Sequence, residues 1–584
     1  MLNSPKMRNR SLDRPVIFWT CVFFSLFAVA VRSPRTAKAL EHNGSTAVAA
    51  QHTWYIRQDG GDRKQCTGMV DSPYSGHGNS QPCAFKHPYY LFTNDTYNNK
   101  GWIISGGDTV IFRGGPYRMG YKGPNPHDMW GSCPGDPFGC SMPPIPSGTA
   151  SQPTRFLGEH YSSCQQKTQL FGGYGLGVIL PLQGSKNVDV ECLDLTDHGQ
   201  CSRVGSSQPA SEVCSSTYPL SDYAGNAIET SETTANVLLK NLNIHGFTSR
   251  GIIGAIGGLL TVDHVRIAFN GGAGWDFDNG SGTASASDAA LHASYLTVEW
   301  NGCNEEYPLA HSVPAFSCLD QDNGGYGDGV GTPDTPLNFS CDHCTFRYNT
   351  QDGLDLLHVN AGKISVTNST AYGNMGQQWK FGPVGRLVFQ NNTTIHNCRR
   401  LSAPFSGAPQ NYNRYLSLFC RAAGDGVALS VTDQGTYTLQ NNSYAGYGAT
   451  SYDIVCSGHC ASASIIFENN LNVGYADPKN NALPGVFYAE KALWLTLFRG
   501  TSHNIFYNMR TCPKGWTESC VNPGIANLPK WRGEASLDAI DFHLLKGSPA
   551  IKSGASIPEI STDHDGLQRP VDSAYDVGAF QFHP

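Results

Sequence analysis

From Trp54 onward the apolar residues fall in short runs that alternate with polar ones. Trp54-Tyr55-Ile56-Arg57 is one such run. Thr109-Val110-Ile111-Phe112 is another, preceded by Gly106-Gly107-Asp108 and followed by Gly114-Gly115. Four or five residues pointing alternately in and out predict a strand buried on one face. The body repeats one pattern: an Asn, Asp or His, then alternating apolar residues, then Gly or Asn. Instances begin at Asn241, Asp263, Asp342, Asn368, Asn391, Asn441, Asn469 and His503. Spacings of 22 (Asn241 to Asp263), 23 (Asn368 to Asn391), 26 (Asp342 to Asn368) and 28 (Asn441 to Asn469) recur. The 50-residue step from Asn391 to Asn441 leaves room for an unrecognised coil or an insertion.

A strand of this kind cannot hide its inner face alone, but stacked copies bury a continuous apolar column. Asn suits left-handed corners, and stacked amides can hydrogen-bond from coil to coil. No run has helical periodicity of useful length, and a β-propeller wants a period nearer 40–50. The expected fold is therefore all-β: a single-domain right-handed parallel β-helix with disulfide-pinned loops, over residues 54–584. The closing stretch, Leu544 to Ala550 followed by Asp563-His564-Asp565-Gly566, Arg569-Pro570 and Tyr575 to Phe580, resembles the end segment of many secreted right-handed β-helix proteins. That resemblance implies a structural role, capping the last coil.

Composition agrees with a turn-rich β protein. Charged residues are 15% of 584, with 65 Gly and 11% aromatics, which excludes a coiled coil or a disordered chain. Residues 1–39 read as a signal peptide: Lys6, Arg8, Arg10 and Arg14 precede an apolar run from Val16 to Val31, then small residues at Ala28, Ala30, Ala37 and Ala39. The rival reading is an uncleaved anchor, for which the run is short. Residues 40–53 read as a flexible leader, and 115–165 as a long loop.

Of 19 cysteines, Cys21 lies in the signal, leaving an even 18, as in exported proteins stapled by disulfides. Close pairs across loops are Cys66 with Cys83, Cys133 with Cys140, Cys303 with Cys318 and Cys512 with Cys520. A zinc site at Cys341/Cys344 and Cys456/Cys460 is the alternative for those four. The expected location is secreted, periplasmic or cell-surface, and the expected state a monomer with no stable membrane insertion.

The formal charge is −7, and a chain cut after Ala39 keeps 33 basic and 46 acidic residues, a net −13. Such a chain is a poor partner for nucleic acid. It must hold any acidic substrate through a local basic patch or a metal ion.

The stretch 325–400 carries the candidate chemistry. Asp328 lies in Gly327-Asp-Gly-Val-Gly331, Asp352 and Asp355 in Asn349-Thr-Gln-Asp-Gly-Leu-Asp-Leu356, and Lys380 in Gln377-Gln-Trp-Lys-Phe-Gly382. Asp328 to Asp352 is 24 residues and Asp352 to Lys380 is 28, so in a solenoid of that period they stack on one face, about 4.8 Å apart per coil. Carboxylates at that separation repel unless a cation sits among them, and hard oxygen ligands suit Ca2+. A lysine beside such a cation has its pKa lowered, as a general base requires.

These three pieces resemble polysaccharide lyase family nine, β-helix lyases of the pectate type. The resemblance implies Asp328, Asp352 and Asp355 as Ca2+ ligands and Lys380 as the Brønsted base. Where the family usually has a second Asp before the Asp-Gly pair, this chain has Gln351, which can still offer a carbonyl oxygen to the metal but with one charge fewer. The segment between Asp355 and Lys380 is also short for the family. The implied activity is β-elimination on a uronic-acid-containing polysaccharide. Arg399, Arg400, Arg414 and Arg421 could hold neighbouring uronates or be scattered surface charge.

Two other readings stay open. A glycoside hydrolase would use paired carboxylates, with Glu305, Glu306, Asp320 and Asp322 as candidates. A glycan-binding or adhesin solenoid needs no catalytic lysine. Asn-x-x-Asp-Gly is also an ordinary turn sequence, and Asp276 with Asp278 suits a turn before Asn279-Gly280. His311, His358 and His396 receive no role. Trp300, Tyr307, Trp379 and Tyr412 could equally stack on sugars or pack in the core.

Overall fold

Each coil of the chain turns its apolar residues inward and hands the next coil a parallel partner. The computed structural model describes residues 51–93, 101–120, 141–173, 175–199, 214–215, 222–277, 285, 287–303, 305, 318, 327–402, 420, 425–488, 494–512, 517–571 and 573–584. Two long sheets dominate, one of 25 strands and one of ten, with parallel pairing throughout the ten-stranded one. The signal segment, Cys133, Cys140 and most of the 40–53 leader lie outside the described residues. No described helix is long and apolar enough to cross a membrane.

The longer sheet is bent, because most coils give it two strands separated by a two-residue corner. Ala235–Lys240 and Asn243–His245 are one such pair, Lys363–Thr367 and Thr370–Tyr372 another. The first corner residue has φ near +50° in coil after coil: Asn241, His264, Tyr295, His343, Asn368, Asn391, Asn441 and Asn469. The second turns inward and is buried: Leu242, Val265, Leu296, Cys344, Ser369, Asn392, Asn442 and Asn470. Left-handed backbone favours Asn among non-glycine residues, which is why the repeat is legible as Asn-led. At Asp263 and Asp342 the corner falls one residue later, on His264 and His343.

Inside the coils, amides form ladders. The Asn392 Nδ2 donates to Asn442 Oδ1 (3.2 Å), Asn442 to Asn470 (3.0 Å) and Asn470 to Asn504 (3.1 Å). A second ladder runs from Asn270 through Asn301 and Asn349 to Asn374, at 2.8–2.9 Å, and ends on Gln378 Oε1. Buried amides must be paired, and repetition at one coil spacing pairs them with each other.

The ten strands of the shorter sheet are, in chain order, β1 (Leu176–Pro181), β2 (Ala224–Glu229), β3 (Arg250–Ile253), β4 (Trp275–Asp276), β5 (Val330–Gly331), β6 (Leu354–Leu356), β7 (Trp379–Phe381), β8 (Asp425–Val431), β9 (Thr450–Cys456) and β10 (Gly485–Tyr488). Leu354, Leu356, Trp379 and Phe381 point into the core. Trp379 is therefore a core residue, and its indole N–H donates to Thr394. Trp300 is half-buried between Phe269 and Tyr348.

Disulfides join Cys66–Cys83, Cys303–Cys318 and Cys512–Cys520, as their spacing suggests, and also Cys164–Cys192 and Cys398–Cys420. Cys341–Cys344 and Cys456–Cys460 are likewise disulfides. This corrects the zinc alternative, because each sulfur already has a covalent partner close in sequence.

The C-terminal segment does more than cover an end. It runs along the Asn corners of three successive coils. The Asn391 side chain is bound by Arg569, Asn441 Nδ2 donates to the Asp576 carbonyl, and Asn469 Nδ2 donates to the Ala555 carbonyl. Corner amides at the surface of the coils need partners, and this segment supplies them.

Candidate active site

The site sits on the outer face of β5–β7. Backbone register sets one column across the shorter sheet: Asp276, Gly331, Asp355, Lys380, Ala428, Asp453 and Tyr488 are successive partners. Alternation along β6 explains the outward direction of this column. Leu354 and Leu356 go inward, so Asp355 goes outward, and Trp379 and Phe381 do the same for Lys380. The second amide ladder fixes the turns before these strands, since Asn349 and Asn374 lie just ahead of Asp352 and Gln377.

Asp328, Asp352 and Asp355 converge, each offering a carboxylate oxygen within 4.8 Å of the others. The Lys380 ammonium lies 2.7 Å from Asp352 Oδ2 and 2.8 Å from Asp355 Oδ2. Backbone donors hold the remaining oxygens. Asp328 Oδ1 accepts from the Asp352 N–H (2.9 Å), Asp352 Oδ1 from Gln377 (2.6 Å) and Asp355 Oδ1 from Leu357 (2.9 Å). Gly376 allows this closeness, because a Cβ there would stand 2.0 Å from Asp352 Oδ1.

Three carboxylates and one ammonium leave the cluster with two negative charges if all are ionised. Burial pushes Asp328 well above the usual carboxylate range, with Asp352 and Asp355 adding repulsion. Burial opposes the charge on Lys380, yet the carboxylates outweigh it and raise its pKa. This departs from the expectation of a lowered lysine pKa. Without a metal the ammonium is itself the counter-ion of the aspartates, so the field on it is negative.

Gln351 is fully buried. Its N–H donates to the Gly327 carbonyl, and its own carbonyl accepts from Gly376. Arg399 and Arg400 are not brought to the cluster. Arg399 pairs with Asp477 (3.2 Å) over the Tyr447 ring, and Arg400 is buried against Asp538 (2.6 Å). Arg414 and Arg421 lie outside the described residues, as do Asp278, Glu306, Tyr307, His311, Asp320, Asp322 and Tyr412. Asp276 pairs with Arg250 at 2.6 Å. Glu305 binds His245 (2.6 Å), which also meets Asp194 (3.0 Å). His396 is buried, and burial lowers its pKa to about 3.

A cleft of about 550 Å3 opens beside Lys380, lined among others by Gln377, His358, Ala428, Ser430 and Asp453. Burial, helped by repulsion from Asp425, raises Asp453 to about 6. Sequence reading missed Asp453. The only signal is its place between Tyr452 and Ile454 in an alternating run, which fixes its outward direction but not the coil it neighbours.

No known family profile matches the sequence, and no curated protein matches it. Among solved structures, a pectate lyase superposes with a TM-score of 0.42 at 14% identity, covering 92% of this chain and 98% of its own. A rhamnogalacturonan lyase gives 0.37 at 11%, covering 84% and 96%, and a lacto-N-biosidase gives 0.38 at 11%, covering 80% and 68%. These superpositions carry no weight for the site, which rests on the geometry above. Coil after coil of parallel pairing makes the chain a parallel β-helix.

Proposed function

We propose that this protein cleaves a uronic-acid-containing polysaccharide by β-elimination, with Lys380 as the base and Ca2+ held by Asp328, Asp352 and Asp355. The observation that carries this reading is the Lys380 ammonium bridging Asp352 and Asp355 at the edge of an open cleft. Two carboxylates facing each other across a groove with no lysine between them would favour a hydrolase, and here Lys380 bridges Asp352 and Asp355.

The donor set fits a hard divalent cation. It is all oxygen, pre-oriented by backbone N–H groups, and carries an excess of two negative charges, which protonation of Asp328 would halve and a dication would cancel. The buried Gln351 would add at most a neutral oxygen. Bound there, Ca2+ would neutralise a uronate carboxylate and so acidify the proton α to it. With a dication on those carboxylates, Lys380 would lose its attraction to Asp352 and Asp355 and would give up its proton more readily. Neutral Lys380 then takes the C5 proton, the C–H electron pair forms a C4–C5 double bond in the new end sugar, and the C4–O bond breaks with its pair on the leaving sugar's oxygen, which takes a proton from water. His358 and Gln377 line the same cleft and lie within reach of the polymer.

Ultraviolet absorbance tests this. Polyuronate incubated with the protein and Ca2+ should yield absorbing unsaturated ends, and a chelator should stop it. New reducing ends without absorbance would instead favour the hydrolase.

A further inference from the structure

An acidic chain meets an acidic polymer through local positive charge, and Arg399 and Arg400 are spent on Asp477 and Asp538. Cations with donors to spare stand elsewhere. On the outer face of the longer sheet, Asp194, Asn243, Arg266 and Thr297 are successive partners from coil to coil. They line an open cavity of about 530 Å3, together with Lys167 and the stacked rings of His264 and Tyr295, whose centroids are 4.5 Å apart. A second cavity of about 300 Å3 shares Lys167 and Asp194, so the two make one groove across successive coils. The Lys380 cluster stands on the other sheet.

The acids of the groove are already matched. Asp194 accepts from the side chains of Gln169 (2.8 Å) and Asn243 (2.8 Å) and lies 3.0 Å from His245. Glu299, behind Arg266, is held between Arg266 (2.6 Å) and Arg347 (2.5 Å). Glu159, in the smaller cavity, accepts from the Gly114 N–H (2.9 Å) and lies 4.0 Å from Arg113. The cations are not matched to the same degree. Lys167 is half-buried, and its ammonium makes no hydrogen bond or ion pair among the described residues. The Arg266 side chain is 37% exposed; its Nε and Nη1 are used on Glu299 and Asn243, and its Nη2 meets no acceptor among the described residues. Spare donors on two cations in one cavity call for anionic acceptors.

We propose that this groove is a second binding site for an acidic polysaccharide, with uronate carboxylates on Lys167 and Arg266 and sugar hydroxyls on Asn243 and Thr297. The class of polymer rests on the β-elimination reading, but the groove does no chemistry: it holds a length of chain away from the cleft at Lys380. A chain suits it better than a small anion, because its donors are spread over successive coils, about 4.8 Å apart at each step.

Retardation in native gels cast with polygalacturonate tests this. Chelator is present, so nothing is cleaved and the metal-free carboxylates around Lys380 repel uronates. Wild type should be retarded, and fully methyl-esterified galacturonan, which lacks the charge, should retard it at least about tenfold more weakly. Lys167→Glu and Arg266→Gln should each weaken retention by polygalacturonate about tenfold, with melting curves to verify folding. Lys167 has no partner to lose, so its variant should melt as wild type does. With Ca2+, Lys167→Glu should raise KM for the long polymer and leave kcat/KM for a short oligogalacturonate unchanged. Retention of folded Lys167→Glu equal to that of wild type, equal retardation by the esterified polymer, or no retardation of wild type overturns the groove. Absence of unsaturated product with Ca2+ overturns β-elimination alone, since retention is read without catalysis.

Discussion

At the scale of residues, Lys380 has two jobs that separate experimentally. In the metal-free protein its ammonium offsets buried carboxylates, so Lys380→Ala leaves them uncompensated. Removing one partner of a buried ion pair costs about 3–5 kcal/mol. We expect Lys380→Ala to melt well below wild type in chelator and to recover much of the difference in millimolar Ca2+, as calorimetry would show. Asp328→Asn should do the reverse. It removes a carboxylate that burial and its two aspartate neighbours penalise, so the metal-free protein gains about 1 kcal/mol or more, while stabilisation by Ca2+ shrinks. Glu534 offers a pH prediction away from the site. It accepts from the Tyr447 hydroxyl at 2.7 Å, near Arg399, Arg400 and Asp477, and burial raises it from 4.5 to about 7. A folded pKa above the unfolded one gives stability that is complete below pH 4.5 and lost as pH rises through 7. Glu534→Gln should therefore flatten the fall in melting temperature between pH 5 and 8, with up to about 3 kcal/mol at stake.

At the scale of elements, corners and ladders share the sequence dipeptide Asn-Asn but do different work. Asn441 holds φ +54° and Asn442 lies in the interior ladder. Asn441→Ala should cost about 1–2 kcal/mol from left-handed backbone. Asn442→Ala should cost more, about 2–4 kcal/mol, because it strands buried groups on Asn392, Asn470 and the Phe389 carbonyl. Urea unfolding of the two variants would rank them. This explains which parts were legible in the sequence. Asn-led corners recur at the coil period, so the fold could be read from spacing; the spacing stacked Asp352 with Lys380, whereas the strand register pairs Asp355 with Lys380. The direction of Arg399 and Arg400 could not, because Asp477 and Asp538, their partners, lie 78 and 138 residues away. Asp453 was hidden because the coil at Asn391 carries an insertion before β8, which breaks the period that would have placed it near Lys380.

At the scale of the whole molecule, the coils are neighbours of neighbours, and the C-terminal segment ties several together. Arg569 is buried and gives hydrogen bonds to Asn391 and to the Gly578 and Ala579 carbonyls. Arg569→Ala should cost about 3 kcal/mol or more, and limited proteolysis should release the C-terminal segment before the coils are cut. The site draws on this rigidity, since its four charged groups come from three successive coils. The most direct measurement of the central claim is the initial rate of unsaturated-uronide formation by Lys380→Arg with Ca2+. Arginine keeps the positive charge and the carboxylate contacts but does not deprotonate, so folding should persist while the rate falls by about 100-fold to 10,000-fold. A folded Lys380→Arg protein that keeps its rate to within about tenfold would contradict Lys380 as the base.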